Sequence, residues 1–474
     1  MTWPPVLLWL LIIAAALSRG PLIIYLFSGT MIFGALTMAP AGLTGGLNLP
    51  AQTICAAILI VKIFLRSNNL NLALRHGFDV RKLGLLGFFL VYVVFTAIIY
   101  PRFFRGDVML YSLNAAVAES PVHPTSANFT QTLYLLTSIG IAFAFAVAAR
   151  NPAFRELYLR TVLIAAVLLV ASGVINLTLN AVGELSLLEP FHNASYASLD
   201  TVQLAGQYRV VGLMPEASAY GGATCTVLSF LVFNYRYFKL PNKRVLLPGL
   251  ILLLGSMTVL STSSTGYLGL IVLIGLAAGR IVFNLLLIPI RSHSRLRKTT
   301  YLVLFLMTVL MLLVLFGPLL FSKYQDLLNT VLFKKTTSSS YQERTRWSVA
   351  GLHAFYSTYG IGVGVGSVRT SNWFVNILAS TGVFGVFLFF AFALRLFIPF
   401  RGRNWPDENR GFSNSLKLCL IPAAIMVGVS GTTPDPGVWV MSVFGLLYGL
   451  QLKPQGEDYR STRILNGNAG ERLT

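Results

Sequence analysis

The chain has 474 residues, of which 55% are hydrophobic and only 11% charged. A soluble domain carries about 25% charged residues, so these charges are too few to coat a water-soluble globule of this size, and lipid must solvate much of the surface. The net charge of +20 would suit a nucleic-acid binder, but its distribution along the chain excludes that.

In lipid every backbone polar group must find a partner within the protein, which leaves helices or closed barrels. The apolar runs are continuous, not alternating, and at roughly 20 residues each is long enough to cross a bilayer as helix. In chain order the predicted spans are 4–18, 21–39, 51–65, 83–100, 129–149, 158–178, 216–235, 245–261, 265–288, 300–320, 373–399, 416–431 and 437–451. The first is the least secure: Ala14-Ala15-Ala16 would serve as a leader cleavage site, although no basic stretch precedes the run. The expected fold is an all-α polytopic membrane protein of 12–13 transmembrane helices, one transmembrane domain over 1–474.

The connecting loops sort by charge. Lys62, Arg66, Arg75, Arg81 and Lys82 fall in one loop, and Arg150, Arg155 and Arg160 in the next but one. The alternation continues with Arg236, Lys239, Lys243 and Arg244, then Arg280 to Lys298, Arg401 to Lys417, and the tail at 452–474. The intervening loops hold far fewer, among them Arg102, Arg105, Arg209, Arg344, Arg346 and Arg369. The positive-inside rule places the first set in the cytoplasm, where the charge faces anionic lipid and not nucleic acid. The cytoplasmic loops are too short for a catalytic domain. The longer ones, 101–128, 179–215 and 321–372, face outward, and long loops that are not low-complexity are usually functional.

Several chemistries have no residues to carry them. No Asp or Glu falls in the middle of an apolar span, which weakens a proton-coupled transporter. The chain lacks a Walker lysine motif, an Asp-x-Asp pair for a metal-held sugar nucleotide, and His/Cys metal spacing. Cys55, Cys225 and Cys419 all sit in apolar runs and read as small buried hydrophobes. No metal or cofactor is expected, and any reaction must draw on a substrate already activated and delivered in the membrane.

Three outward constellations stand out. In the first, Arg209, Gly212, Pro215, Glu216 and Ser218 close an outer loop and open a helix, with Pro215 suited to the first turn. Glu216 is either an acidic first-turn residue placed for stability or a carboxylate beside Arg209 that activates a hydroxyl. The second, Tyr341 to Phe355, reads as a helix outside the membrane. At 100° per residue Arg344 shares a face with Trp347, Gly351 and Phe355, whereas Arg346 shares the opposite face with His353 and Ser357. Arg344 is therefore the first choice for a site and Arg346 the second; a solvated basic helix near lipid headgroups is the alternative. The third, Gly360, Gly362, Gly364 and Gly366 with Arg369, Ser371 and Asn372, precedes a membrane helix. Alternating glycines permit sharp turns, and successive N–H groups can cradle an anion. The turn Ser261 to Gly266 reads as structural.

In this order and on this topology, the three constellations resemble the O-antigen polymerase and O-antigen ligase superfamily of bacterial surface-polysaccharide enzymes. The matching residues are Arg209, Gly212, Glu216 and Ser218; Ser264-Thr265-Gly266; Arg344, Trp347 and Ala350; Gly362, Gly364 and Gly366; Asn372; and Gly382 with Gly385. They cover about residues 205–390. Pro215 precedes Glu216, where the family usually has Glu-Pro, and Ser371 stands where ligases commonly carry a histidine, which tilts the reading toward a polymerase.

The resemblance implies a metal-independent glycosyltransferase of the bacterial inner membrane, similar in fold to enzymes that use lipid-linked donors. Its active site would face the periplasm, and its product would be O-antigen, capsule or exopolysaccharide. Glycan would pass from an undecaprenyl diphosphate donor to a lipid-linked acceptor. Arg209, Arg344 and Glu216 would be catalytic, and Arg346, Arg369, Asn372, Gly362, Gly364 and Gly366 would bind substrate. The implied partners are the lipid-linked oligosaccharide, membrane lipid and a chain-length regulator protein, with no nucleic acid. A ligase transferring glycan to lipid A core or protein is the alternative within this chemistry, and a lipid-linked oligosaccharide flippase or exporter the alternative outside it.

Overall fold

The computed structural model describes residues 2–40, 42–44, 47–66, 68–80, 82–113, 118–194, 203–204, 207–287, 339–398 and 407–452. The helices in chain order are α1 (Trp3–Leu17), α2 (Leu22–Gly29), α3 (Ala51–Phe64), α4 (Asn69–Gly77), α5 (Gly84–Phe103), α6 (Ser126–Ala148) and α7 (Pro152–Val182). They continue with α8 (Ala217–Asn234), α9 (Lys243–Leu260), α10 (Ser264–Leu287), α11 (Ser339–Ser357), α12 (Trp373–Phe397), α13 (Asp407–Ser430) and α14 (Val438–Gln451). Two short hairpins, Met109–Leu110 with Ser120–Pro121 and Gln203–Leu204 with Gln207–Tyr208, lie in the outer loops.

The ends of these helices follow from local chemistry. Asn151 caps α7, its side chain accepting from the Ala153 N–H, and Pro152 takes the first helical position where no N–H is needed. α7 stops at Gly183, in left-handed conformation at φ 79°. Thr125 and Asn128 form a reciprocal capping box that starts α6.

The chain is a mostly helical, multi-pass membrane protein, with fewer full-length spans than expected. Among the described residues seven helices are long and apolar enough to cross: α5, α6, α7, α9, α10, α12 and α13. The pair α3 and α4, bent by 104°, would make an eighth, and α1, α14 and the α2 segment Leu22–Ile32 are apolar but shorter. The span expected at 21–39 thus ends at Ile32, and the one at 300–320 lies outside the described residues. The span expected at 216–235 is a helix, α8, yet it is not among the seven. Gly221, Gly222, Thr224 and Ser229 lower its apolarity, and α7, α9, α10 and α13 pack around it. Protein, not lipid, solvates much of this helix.

Small residues let helices meet closely. Gly445 and Gly449, four apart on α14, press against the Ala142 and Ala146 carbonyls of α6; a Cβ on either would stand 2.5 or 2.6 Å from those oxygens. Cys55, Cys225 and Cys419 are free and buried.

The two ends of the bundle differ. At one end the basic loops meet: Arg155 donates to Asn409 (2.8 Å), Lys239 pairs with Glu156 (3.3 Å), and Arg395 donates to the Val80 carbonyl (2.9 Å). Lys62 donates to the Ala15 and Ser18 carbonyls at the C-terminus of α1, where a cation also suits the helix dipole. The loops that carry Arg209, Arg344 and Arg369 lie at the opposite end.

Candidate functional site

Arg209, in the segment entering α8, is half-buried and held in place. Its Nε donates to Thr262 Oγ1 (3.1 Å) and its Nη2 to the Thr262 carbonyl (3.3 Å). The neighbouring Val210 N–H donates to the Leu260 carbonyl (3.3 Å) and the Val211 N–H to Asn176 Oδ1 (3.2 Å). Gly212, at φ 59°, passes so close to Tyr220 and Ser172 that a Cβ would sit 2.8 and 2.9 Å from them. Thr262 itself has φ 47°, an uncommon conformation for a β-branched residue and one that tends to occur where surrounding structure enforces it. The polar turn between α9 and α10 is therefore more than a connector: it orients Arg209.

Glu216 is the N-cap of α8 in extended conformation. Pro215 thus lies one residue outside the helix, not in its first turn as expected. The Glu216 carboxylate accepts the Ser218 hydroxyl and makes no capping bond of its own.

On α11 Trp347, Ala350 and Ala354 are buried, Arg344 and Phe355 are half-buried, and Arg346, His353 and Ser357 are exposed. The helix turns Arg344 toward the bundle and leaves Arg346 on the solvent face, apart from the other candidates. Arg369 lies with its guanidinium carbon 4.2 Å from the Trp347 ring centroid, a contact worth roughly 0.5–2 kcal/mol. Its backbone N–H donates to the Tyr111 carbonyl (2.8 Å), and its buried Nε has no hydrogen-bond partner.

Electrostatics tie these groups together. Burial lowers the Arg209 guanidinium below its ordinary value; Glu216 counteracts this and Arg344 adds to it. Burial likewise lowers Arg369, opposed by Glu343 and Glu216 and reinforced by Arg344. Arg209, Arg344, Arg369 and Glu216 therefore share one electrostatic neighbourhood, although they come from three separate stretches of chain. Arginine stays charged through such shifts. The three guanidinium groups outnumber the two carboxylates, Glu216 and Glu343, that act on them, and the excess positive charge suits an anion.

Two N–H groups of the glycine-rich loop are turned into the protein. Gly362, Gly364 and Gly366 are buried, at φ 89°, 94° and 84°. Gly362 donates to Thr358 Oγ1 (3.0 Å) and Gly364 to the Ser380 carbonyl (3.0 Å), while Gly366 is pressed against Ala127 and Asn128. Two donors of the expected anion cradle, those of Gly362 and Gly364, are thus used inside the protein. The loop instead pairs with a break in α12 at Gly382 (φ 66°), where Val363 donates to the Ala379 carbonyl (2.8 Å) and Val383 to the Gly360 carbonyl (3.0 Å). Irregular backbone within a membrane helix is tolerated where protein satisfies it. Asn372 stands at the start of α12. Its side-chain oxygen caps α12 by accepting from the Phe374 and Val375 N–H groups (3.0 and 3.2 Å), which leaves it a positioning role for the loop before it.

Beside this group an apolar groove of about 350 Å³ runs between α5 and α6, with Val94, Ile98, Phe129 and Leu133 in its walls and Arg102 among its lining residues. Asn128, also in the groove, donates to the Val365 carbonyl (2.8 Å) and Ser367 Oγ (2.9 Å), which joins it to the loop carrying Arg369.

The chain matches no family model, no curated protein and no solved structure.

Proposed function

We propose that this chain polymerises lipid-linked oligosaccharide repeat units at the outer face of the bacterial inner membrane, transferring glycan from a polyprenyl diphosphate donor to a lipid-linked acceptor. The observation that carries the reading is the electrostatic coupling of Arg209 and Arg369 to both Glu216 and Arg344, at the end of the bundle away from the basic loops. An acceptor sugar hydroxyl attacks the anomeric carbon of the donor glycan and forms the new glycosidic bond. The bond from that carbon to the diphosphate oxygen breaks, and the lipid diphosphate leaves with the electron pair. Glu216 takes the hydroxyl proton. The arginines stabilise charge that grows on the leaving oxygens, where fixed donors act most strongly, and the unpaired Nε–H of Arg369 supplies one such donor. The apolar groove with Arg102 suits the isoprenoid chain and its first phosphate.

In a strain lacking the chain and complemented with variants, Glu216→Gln is expected to lower polymer yield at least a hundredfold, a typical loss for a missing general base. Near-normal polymer would remove Glu216 as the base. Thr262→Val keeps the side-chain shape but removes the Oγ1 acceptor for Arg209, a bond to a charged group worth about 1.5–3 kcal/mol. Polymer formation is expected to fall roughly tenfold at unchanged membrane level, read as rate in isolated membranes. In the deletion strain itself, a single repeat unit on the final acceptor fits a polymerase. Accumulation of long lipid-linked polymer that is never transferred would instead mean a ligase.

A further inference from the structure

We propose that a second cavity, centred on Asp435, binds one uncharged sugar ring of the glycan; the proposal rests on the glycan-transfer reading above and adds a subsite to it. By sequence Asp435 is a loop residue between α13 and α14. In the fold it reaches inward: Ser138, near the middle of the 23-residue α6, donates to its Oδ2 (2.8 Å), and the Gly437 N–H donates to its Oδ1 (2.8 Å). The reason is helix length. α3 and α14 each have 14 residues, a rise of about 21 Å against a hydrocarbon layer of roughly 30 Å. Both start short of the outer surface, and a cavity of about 260 Å³ opens where they begin.

Its polar wall consists of Asp435, Ser138, Tyr134, Gln52, Thr53 and Thr30. Among the described residues no Arg, Lys or His lines it, so the wall does not suit an anion. Nor do three His, Cys, Asp or Glu side chains gather there or elsewhere among the described residues, as a bound metal ion would need. A carboxylate offers about four lone-pair positions, and the structure uses two. The remainder, with the hydroxyl oxygens of Ser138, Tyr134 and Thr30, whose protons go to Asp435, Asn48 and Leu26, accepts from a ligand rich in hydroxyls, and the Gln52 amide can donate to it. The Phe33 and Tyr134 rings, also in the wall, suit the C–H face of a pyranose. The volume is below the ~300–1,000 Å³ of pockets for drug-sized ligands, which limits the occupant to one ring.

The surroundings of the cavity touch the segment that leads to Glu216 and the start of α12. Its wall residue Gly34 lies against Met214 and Pro215, where a Cβ would stand 2.5 and 2.9 Å away, immediately before Glu216. On the other side the Pro434 carbonyl accepts from Trp373 Nε1 (3.0 Å), immediately after Asn372. A glycan reacting at Glu216 can therefore seat a neighbouring ring at Asp435.

The test uses the full chain in lipid nanodiscs free of sugar-headed detergent, probed by saturation-transfer NMR with a panel of neutral hexoses and N-acetylhexosamines. The expected result is transfer to at least one sugar, reduced fivefold or more both by Asp435→Asn and by Gln52→Leu, and retained by Arg344→Ala. Transfer to no sugar, or transfer that survives Gln52→Leu, overturns the proposal. Gln52→Leu removes an amide from the α3 side of the cavity without touching Asp435, so it decides the matter even where Asp435→Asn does not fold. Because the probe has no diphosphate and no reaction is followed, this outcome is independent of the polymerase reading, which the polymer assays decide.

Discussion

Replacing Arg344 by alanine is expected to abolish long-chain glycan while leaving the protein in the membrane at its normal level. The guanidinium is half-buried on the inward face of α11 and repels both Arg209 and Arg369, so its removal does not cost the resting protein a favourable ion pair among those groups. On the proposed reaction, what is lost is positive charge where the diphosphate would depart. Single donors of this kind are worth about 10²–10³ in rate, enough to reduce a product of many successive transfers to its first members. Arg344→Lys is expected to fail as well, because an ammonium cannot make the two parallel bonds of a guanidinium fork. Arg346→Ala supplies the internal control: it lies two residues away on the exposed face and is expected to stay within about twofold, since surface changes are usually worth under ~0.5 kcal/mol. Glycan length on gels, beside immunoblots of isolated membranes, reads all three. Unchanged chain length in Arg344→Ala would defeat the assignment.

Gly382→Ala is expected to have the second large effect, and on stability. Gly382 breaks α12 with φ 66° and ψ −172°, a region essentially restricted to glycine, which costs other residues about 1–3 kcal/mol. A Cβ there would also overlap the Ile361 and Gly360 carbonyls. Gly366→Ala meets the same obstacle at Ala127 and Asn128. Both variants are expected to lower the melting temperature of the purified protein by several degrees, on the order of ΔΔG divided by the unfolding entropy, with the largest loss at Gly382. An unchanged melting temperature in both variants would refute this account of the two glycines.

Much of the helical organisation was legible in the sequence because lipid leaves few choices: a long apolar run must be helix. The inward face of α11 was legible for a related reason, since a 3.6-residue period separates Arg344 from Arg346 whatever the helix packs against. Three features were not. The glycines at 360–366 signalled freedom of φ correctly, but pattern alone does not reveal whether N–H groups face a ligand or a neighbouring helix; here α12 accepts the Val363 and Gly364 donors. The contacts of Thr262 with Arg209 and of Trp347 with Arg369 depend on where distant segments meet. The depth of Asp435 depends on the shortness of α14, and the 437–451 run that contains it looked like an ordinary span. Apolarity and position in the bundle part company in α8, a helix where one was expected but less apolar than the seven long ones because other helices screen it.

The break in α12 also constrains biogenesis. Ala379 and Ser380 expose carbonyls that the helix itself does not satisfy, level with Tyr92 near the middle of α5, whose hydroxyl donates to the adjacent Thr381 carbonyl (3.0 Å). In hydrocarbon each orphaned group costs several kcal/mol. The nascent segment 373–397 therefore cannot rest in lipid as a finished helix when it leaves the insertion machinery. It must be met there by residues 360–364, which precede it in synthesis, and by α5, threaded much earlier. In its broken form α12 keeps its backbone satisfied only while residues 360–364 and α5 are packed against it.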